Sequence, residues 1–161
     1  MIPTNIDRKK LRYVAGAFPT GVTIITVEKE FADFQGMTAS SFLSVSLDPP
    51  LVSFCVQDDA SILSLLQVGK IVGISILSAS QQAISHQFAG MNKEDIEVSM
   101  ARKAGAIVVD KALAWYATKI RQIIPAGDHL LFLCEVIDLD RIGEENPLIY
   151  WSGYRTVSDV L

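Results

Sequence analysis

Short apolar runs separated by turn residues recur along this chain, and several of them are rich in β-branched residues. The run from Val22 to Val27 is β-branched throughout, which favours a strand. Asp48-Pro49-Pro50 cannot continue a helix or a strand ladder, so it predicts a rigid corner. The predicted strands span residues 21–27, 35–42, 51–56, 71–77, 113–124 and 130–139, with an extended stretch at 44–46 and a terminal pair, 147–151 and 154–157, joined by a tight turn at Ser152-Gly153.

A helical period appears in three shorter segments. In the first, Asp7 is a candidate cap, Pro19 ends the segment, and the apolar positions at helical spacing are Leu11, Val14, Ala15 and Phe18. The second helix is predicted over residues 61–68 with Ser61 as its cap, and the third over residues 80–88 with Ser80 as its cap. Gly90 then fits the left-handed position that ends many helices. The stretch 90–110 shows no clear period apart from the apolar run 107–109.

The balance of elements predicts a mainly β protein. About seven strands, few helices and turns roughly every eight to twelve residues are typical of a small barrel or sandwich with helices at its ends. The regular strand–helix alternation of a doubly wound dinucleotide-binding sheet is missing, and so is a GxGxxG motif. With 161 residues, 50% of them hydrophobic, and a mean hydropathy of +0.32, the chain has the size of one domain. We expect residues 1–161 to form that single domain.

The charge balance excludes several classes of partner. Fourteen Lys and Arg against eighteen Asp and Glu give a formal net charge of −4, which argues against nucleic acid and anionic membranes. No apolar run approaches the ~18 residues of a transmembrane helix, and no signal peptide is visible at the start. Cys55 and Cys134 each lie in an apolar run, where a reduced thiol acts as a small core residue. We therefore expect a cytoplasmic protein.

Several well-known catalytic motifs are absent from the sequence. It contains no GxxxxGK[ST], HExxH, GxSxG or EF-hand loop, which argues against nucleotide hydrolysis, zinc proteolysis and α/β-hydrolase chemistry. The two histidines, His86 and His129, and the two isolated cysteines show no metal-ligand spacing. No metal site is predicted.

The first candidate site is the run from Gly36 to Phe42, which is rich in small and hydroxyl residues. A strand of this kind can bring backbone N–H groups close to a planar or anionic ligand, and Gly36 would permit a close approach. A half-exposed sheet face gives the same pattern. The residues alone leave both interpretations open.

Three further segments carry candidate residues. His129, at the junction of a loop and a strand, could donate to a ligand carbonyl or a developing anion, or could cap a turn or pair with Asp128. His86, inside a predicted helix, is more typical of a surface or partly buried residue that has its own partner. Phe88-Ala89-Gly90 could be core packing plus a helix end. The terminal aromatic residues Tyr150, Trp151 and Tyr154 could belong to a core, a dimer interface or a ring stack.

Longer motifs follow one another in a compatible order over nearly the whole chain. Residues 36–52, GMTASSFLSVSLDPPLV, match the pattern G-x-T-x-x-S-F-x-S-V-S-x-x-P-P-L, and residues 18–26, FPTGVTIIT, are close to F-x-T-G-V-x-V-V-T. Shorter matches follow at 88–90, 112–115, 126–132 and 147–155. This ordered set resembles the flavin reductase-like family. The resemblance implies an FMN-binding, Greek-key-like split β-barrel with a few peripheral helices.

The resemblance also implies an activity and a set of site residues. The family's members are typically homodimers that bind FMN or FAD near the subunit interface and reduce the flavin with NAD(P)H as co-substrate, often supplying it to a partner monooxygenase. The implied catalytic residue is His129, beside the nicotinamide and the flavin. The implied cofactor-binding residues are Thr38, Ala39, Ser40 and Ser41 at the isoalloxazine edge and the ribityl phosphate, Cys55, Val56 and Gln57 along the ring, Ser61 near the phosphate, and Phe88, Ala89, Gly90, His129 and Tyr154.

The chemistry implied is hydride transfer from nicotinamide C4 to flavin N5, in which the protein stacks and orients the two rings. Asp58 and Asp59 stand where relatives often carry Lys or Arg, and carboxylates repel a phosphate. Two other functions fit the same resemblance. One is a flavoredoxin-like electron carrier that holds its flavin and does not turn over nicotinamide, and the other is a flavin-storing module without redox function.

Overall fold

The computed structural model describes residues 6–30 and 33–159, and strands dominate it. The strands are β1 (Thr20–Gly21), β2 (Thr23–Glu28), β3 (Phe34–Ala39), β4 (Leu43–Leu47), β5 (Pro50–Gln57), β6 (Ile71–Ile76), β7 (Met100–Lys103), β8 (Ala106–Val109), β9 (Ala114–Ala126), β10 (His129–Arg141), β11 (Ile149–Tyr150) and β12 (Tyr154–Arg155). The helices are α1 (Arg8–Ala15) and α2 (Gln82–Phe88), with 3₁₀ turns at Ser61–Leu65, Ala79–Gln81 and Val157–Asp159.

Seven strands form one antiparallel sheet in the order β3-β2-β6-β9-β10-β5-β4. Its main core draws side chains from β2 and β3 at one end of this order and from β5 and β10 near the other, including Ile25, Ala39, Phe54 and Phe132. Strands that are far apart in the sheet therefore share one interior, as they do when a sheet curls into a barrel. The rings of Phe54 and Phe132 stack at its centre, 5.1 Å apart. The predicted mainly β, barrel-type fold with few helices is confirmed.

The predicted strand segments all coincide with strands of the structure, with differences at their ends, but the described residues contain twelve strands where about seven were expected. β3 ends at Ala39 rather than at residue 42. β9 extends to Ala126 and β10 begins at His129, so the turn between them consists of Gly127 and Asp128 alone. The stretch without a clear period contains a hairpin, β7–β8, whose second strand is fully buried. The terminal hairpin β11–β12 turns at Ser152-Gly153 as predicted.

The helices depart further from the predictions. Asp7 does cap α1, because its side chain accepts from the Lys9 N–H at 2.9 Å, but the helix ends at Ala15 and none of its residues is buried. The predicted helix over 61–68 is wrong in type, length and cap, since the structure has a 3₁₀ turn, Ser61–Leu65, preceded by Ala60. Ser78, not Ser80, caps the third helical segment, where it forms a capping box with Gln81.

The end of that segment follows the prediction. Gly90 adopts a φ of +66°, the left-handed conformation expected just after α2. Within the described part of the chain, no helix is long and apolar enough to cross a bilayer. The same residues contain no group of three or more His, Cys, Asp or Glu side chains arranged to hold a metal ion.

Candidate active site

The end of β3, the end of α2 and the hairpin β11–β12 enclose a cleft of about 290 Å³, which we name the tyrosine cleft. Five of the predicted cofactor-binding residues meet there, although they come from three distant parts of the sequence. The lining residues are Val22, Thr38, Ala39, Ser40, Ala89, Met91, Tyr150 and Tyr154. Small and hydroxyl side chains form one wall, and two aromatic rings form another.

Tyr154 is held in this cleft from several sides. Its hydroxyl lies 2.7 Å from Ser85 Oγ on α2. The ring of Tyr150 meets it edge-on at 5.5 Å, and the ring of His86 does so at 4.8 Å. His86 is thus a partly buried residue with its own aromatic partner, as its place in a helix suggested. The terminal tyrosines line the cleft instead of filling the interior of the barrel.

The hydroxyl groups along β3 serve different purposes. Thr38 Oγ1 donates to the backbone carbonyl of Ser85 at 2.6 Å, so this hydroxyl already ties β3 to α2. Ala39 is buried in the core. Ser40 is exposed at the edge of the cleft, and its hydroxyl has no hydrogen-bond partner recorded among the described residues, which leaves it available to a ligand.

Gly36 and Phe88 are linked in a way that corrects the sequence-based interpretation. The space beside Gly36 is filled by the Phe88 ring, since a Cβ built on Gly36 would lie 2.6 Å from Phe88 Cε1. Phe88 also packs against Phe34, with ring centroids 6.3 Å apart. Gly36 therefore permits the close approach of the Phe88 side chain, not of a ligand. Among residues 88–90, Ala89 is the one that lines the cleft, and Phe88 supports it from behind.

A second cleft, of about 520 Å³, adjoins the first at Ser40, and we name it the β1 cleft. It is lined by Phe18, Pro19, Thr20, Gly21, Thr23, Ser40, Ser41, Phe42, Leu43 and Ile76. Thr20 Oγ1 is buried without a hydrogen-bond partner, and it is the one such side-chain atom among the residues that the structure describes. A buried hydroxyl without a partner is costly and calls for an explanation, and a bound ligand would supply one.

A third set of predicted residues lies on the outer face of β5 and β10. The register pairs Cys55 with Leu131 and Gln57 with His129, so that these side chains share one face of the sheet. Ser41 joins them, because its Oγ accepts from the Cys55 N–H at 2.9 Å. Val56 points the other way and is fully buried in the core. The predicted contact of the Val56 side chain with a ring is thus ruled out by its orientation.

His129 is paired with its neighbour in the turn. Its Nδ1 lies 2.7 Å from Asp128 Oδ1, and Arg8 Nη2 lies 3.8 Å from the other carboxylate oxygen. The hydrogen bond and charge of His129, with the charge of Arg8, hold the pKa of the Asp128 carboxyl below its usual range. An ionised Asp128 accepts the proton on Nδ1, which leaves Nε2 free to face a ligand. The two interpretations of His129, a hydrogen bond to a ligand and pairing with Asp128, are therefore compatible, since the pairing orients the ring.

The predicted phosphate contact at Ser61 loses its structural basis. Ser61 opens a single 3₁₀ turn rather than capping an α-helix, and its hydroxyl accepts from Gln35 Nε2 at 2.7 Å. The nearby acidic residues Asp58 and Asp59 are exposed. Asp58 is tied to the His129 turn, because its N–H donates to the Asp128 carbonyl at 3.1 Å. Negative charge thus gathers at this end of β5.

Both cysteines are free thiols. Cys134 is fully buried, and burial raises the pKa of its thiol to about 12. Burial also raises the pKa of the Cys55 thiol, although this side chain is only half-buried on the outer face of β5. Neither thiol is activated as a nucleophile, because such groups need a lowered pKa.

The sequence-based reasoning gave no cofactor role to several residues of these clefts, among them Thr20, Met91 and Tyr150, or to Ser85, which holds Tyr154. Thr20 lies within the FPTGV motif, and Tyr150 belongs to the terminal aromatic residues, for which a core, a dimer interface and a ring stack were left open. Ser85 is the fully buried polar residue of α2, and a serine on the inner face of a short helix gives no signal of its own in the sequence.

Comparisons with known proteins show which family this chain is similar to. The family model described as "Flavin reductase like domain" matches residues 15–158. An NADH-dependent FAD reductase from Streptomyces globisporus is 36% identical over 154 residues, covering 91% of this chain and 84% of that protein. The reductase component of 4-hydroxyphenylacetate 3-monooxygenase from Thermus thermophilus is 35% identical over 140 residues, covering 86% and 89%.

The fold itself is also found among solved structures. The flavin reductase PheA2 in its native state superposes with a TM-score of 0.90 at 37% identity, covering 94% of this chain and 99% of that one. The match includes β3, α2 and β10, which carry the residues of the two clefts and of the outer sheet face. This chain therefore belongs to the flavin reductase-like family.

Proposed function

We propose that this protein is an NADH-dependent flavin reductase that supplies reduced flavin to a partner monooxygenase. The observation that carries the proposal is the tyrosine cleft, in which the hydroxyl-rich end of β3 faces Tyr154 in a chain of this family. The names of the relatives support the choice of NADH and flavin. One of those relatives is the reductase component of a monooxygenase, which supports a partner oxygenase here.

The clefts fit a flavin in shape and chemistry. The isoalloxazine ring system is flat and largely apolar, with carbonyl and N–H groups along one edge. The two clefts meet at Ser40 and offer apolar walls, an available serine hydroxyl and the unpartnered Thr20 Oγ1. Thr38, Ala39, Ser40 and Ser41 would hold the ring edge, and the outer-face residues Cys55, Gln57 and His129 would lie along it. A bound FMN or FAD would supply the hydride acceptor.

His129 orients and stabilises rather than transferring the hydride. Its Nδ1 is committed to Asp128, so the ring presents Nε2 to the site. From that position, His129 holds the nicotinamide carboxamide or stabilises negative charge near the flavin, and no general base is needed for the transfer itself.

We also propose that the protein works as a homodimer. All of α1 is exposed, including Tyr13 at 85%, and the edge strand β4 exposes Leu47 at 90%. Exposed apolar side chains on a helix and on an edge strand suit an interface with another chain. A second copy is the proposed occupant, because the family relationship implies it. Light scattering on the wild type should give twice 17.6 kDa, and Leu47→Asp should shift the equilibrium toward monomer.

The free thiols support a cytoplasmic setting, where cysteines stay reduced.

Anaerobic titration tests the function. NADH and NADPH are each mixed with the protein and FMN, FAD or riboflavin, and the flavin absorbance is followed. Bleaching by NADH with added flavin supports the reductase. Protein that retains a tightly held flavin and oxidises neither nucleotide would indicate the electron carrier instead, and protein that takes up no flavin at all would contradict both.

A further inference from the structure

Ser85 connects the two walls of the tyrosine cleft. It is fully buried on α2, with 0% of its surface exposed. Its backbone carbonyl accepts from Thr38 Oγ1 at 2.6 Å, which fixes α2 to β3. Its hydroxyl lies 2.7 Å from the Tyr154 hydroxyl, which fixes α2 to β12.

The direction of the Ser85–Tyr154 hydrogen bond follows from burial. Tyr154 Oη is the one partner recorded for Ser85 Oγ within the described residues. If Tyr154 were the donor, the Ser85 proton would be buried without an acceptor, which costs about 1–3 kcal/mol. If Ser85 is the donor, its proton is satisfied, and the Tyr154 proton can point into the cleft that Tyr154 lines. The arrangement in which Ser85 donates therefore leaves no buried donor without an acceptor.

The Tyr154 ring has little freedom to present its proton elsewhere. Tyr150 and His86 meet it at interplanar angles of 79° and 68°, with centroids 5.5 and 4.8 Å away. With the ring held by these contacts and the oxygen held by Ser85, the outward O–H direction is set before any ligand arrives. A donor organised in advance loses less entropy on binding than a free one.

We propose that Ser85 is a positioning residue that donates to Tyr154 Oη and thereby directs the Tyr154 proton to a carbonyl oxygen of the bound heterocycle. This inference rests on the proposed function. Amide-type carbonyl oxygens occur both on the flavin ring and on the nicotinamide carboxamide. A carbonyl oxygen accepts the Tyr154 proton in the same way on either ligand, and binding measurements on each ligand identify which one Tyr154 contacts.

The test compares Ser85→Ala, Tyr154→Phe and the double variant with Ser75→Ala. Ser75 is an equally buried serine whose Oγ accepts from the Val109 N–H at 2.9 Å, and it lines neither cleft, so it matches the loss of one buried hydrogen bond. Flavin affinity is measured by fluorescence titration without nicotinamide, and KM for NADH is measured at saturating flavin. The melting temperature of each variant reports its stability.

Ser85→Ala and Tyr154→Phe should each weaken flavin affinity or raise the KM for NADH by roughly tenfold, because each variant loses one hydrogen bond. The kcat should change less. The double variant should be no weaker than Tyr154→Phe, because Ser85 acts through Tyr154. Ser85→Thr, which keeps the hydroxyl, should restore most of the lost affinity. Ser75→Ala should lower only the melting temperature.

Unchanged flavin affinity and KM in an active Ser85→Ala or Tyr154→Phe variant would overturn this inference alone. An effect of Ser85→Ala that persists in full on the Tyr154→Phe background would also overturn it, because Ser85 would then act independently of Tyr154. A wild type that binds neither flavin nor nicotinamide would overturn the proposed function and this inference together.

Discussion

Replacing Gly36 with alanine tests how closely α2 is packed behind the site. The added Cβ would lie 2.6 and 2.8 Å from two atoms of the Phe88 ring and 3.3 Å from the Ile25 carbonyl oxygen. Carbon atoms in contact prefer about 3.5–4.0 Å, so the ring must retreat by roughly 1 Å. Phe34 restricts that movement, because its ring already packs on Phe88.

The expected cost follows from two opposing effects. Overpacking of this kind costs about 1–3 kcal/mol, and replacing glycine recovers about 0.4–1 kcal/mol through the unfolded chain. We expect Gly36→Ala to lose about 1–2 kcal/mol, equivalent to a drop of roughly 2–8 °C in Tm for a chain of this length. Because Ala89 follows Phe88 and lines the tyrosine cleft, flavin affinity should fall as well.

Gly21→Ala is the matched control, since a Cβ on Gly21 meets nothing within 4 Å. Urea unfolding should show wild-type stability or a slight gain for this variant and a clear loss for Gly36→Ala. Adding Phe88→Leu to Gly36→Ala should recover part of the loss, because the smaller side chain yields the space. Equal unfolding midpoints for Gly36→Ala and Gly21→Ala would refute the proposed contact between Gly36 and the Phe88 ring.

Four other perturbations follow from the structure. His129→Ala should lower the rate of NADH oxidation at saturating flavin at least about tenfold and leave the flavin Kd nearly unchanged; an undiminished rate would remove His129 from the mechanism. Asp59→Lys should tighten FMN but not riboflavin in a calorimetric titration, less so at high salt, if the phosphate lies near this end of β5; equal changes for the two ligands would place it elsewhere. Since burial raises the pKa of the Cys134 thiol from 9.0 to about 12, a thiol reagent at pH 8 should label Cys55 alone in the native protein and both cysteines in denaturant. The same shift favours the neutral thiol in the folded state, so the free energy of unfolding should decline as pH rises from about 9 toward 12.

The sequence predicts the strands well because their signal is local. The β-branched run in β2 and the apolar runs in β9 and β10 depend on neighbouring residues, and so does the cap at Asp7. Long antiparallel strands with one buried face leave few alternatives. The ordered motifs then identify the family, which no single element could do.

The errors arise where the outcome depends on distant contacts. Ile62, Leu65 and Leu66 fit either an α-helix or a 3₁₀ turn, and their burial in the core decides for the shorter one. The open space beside Gly36 looked available to a ligand, but Phe88 reaches it from a helix about fifty residues later in the chain. Tertiary packing sets these features, and their local sequence carries no trace of it.

The core determines the orientation of the outer-face residues of the site. Seven consecutive pairs join β5 to β10, from Gln57 with His129 to Leu51 with Glu135, without a bulge. Because Phe54 and Phe132 stack at the centre of that register, a slip of β10 by one residue would turn Phe132 out of the core and carry His129 toward it. Exposing one large aromatic side chain costs about 1.5–3 kcal/mol, which is more than the roughly 0.5–1.5 kcal/mol that a hydrogen bond at the site could return. The position of His129 beside Gln57 and Cys55 is thus fixed by aromatic packing on the opposite side of the sheet, before any ligand is bound.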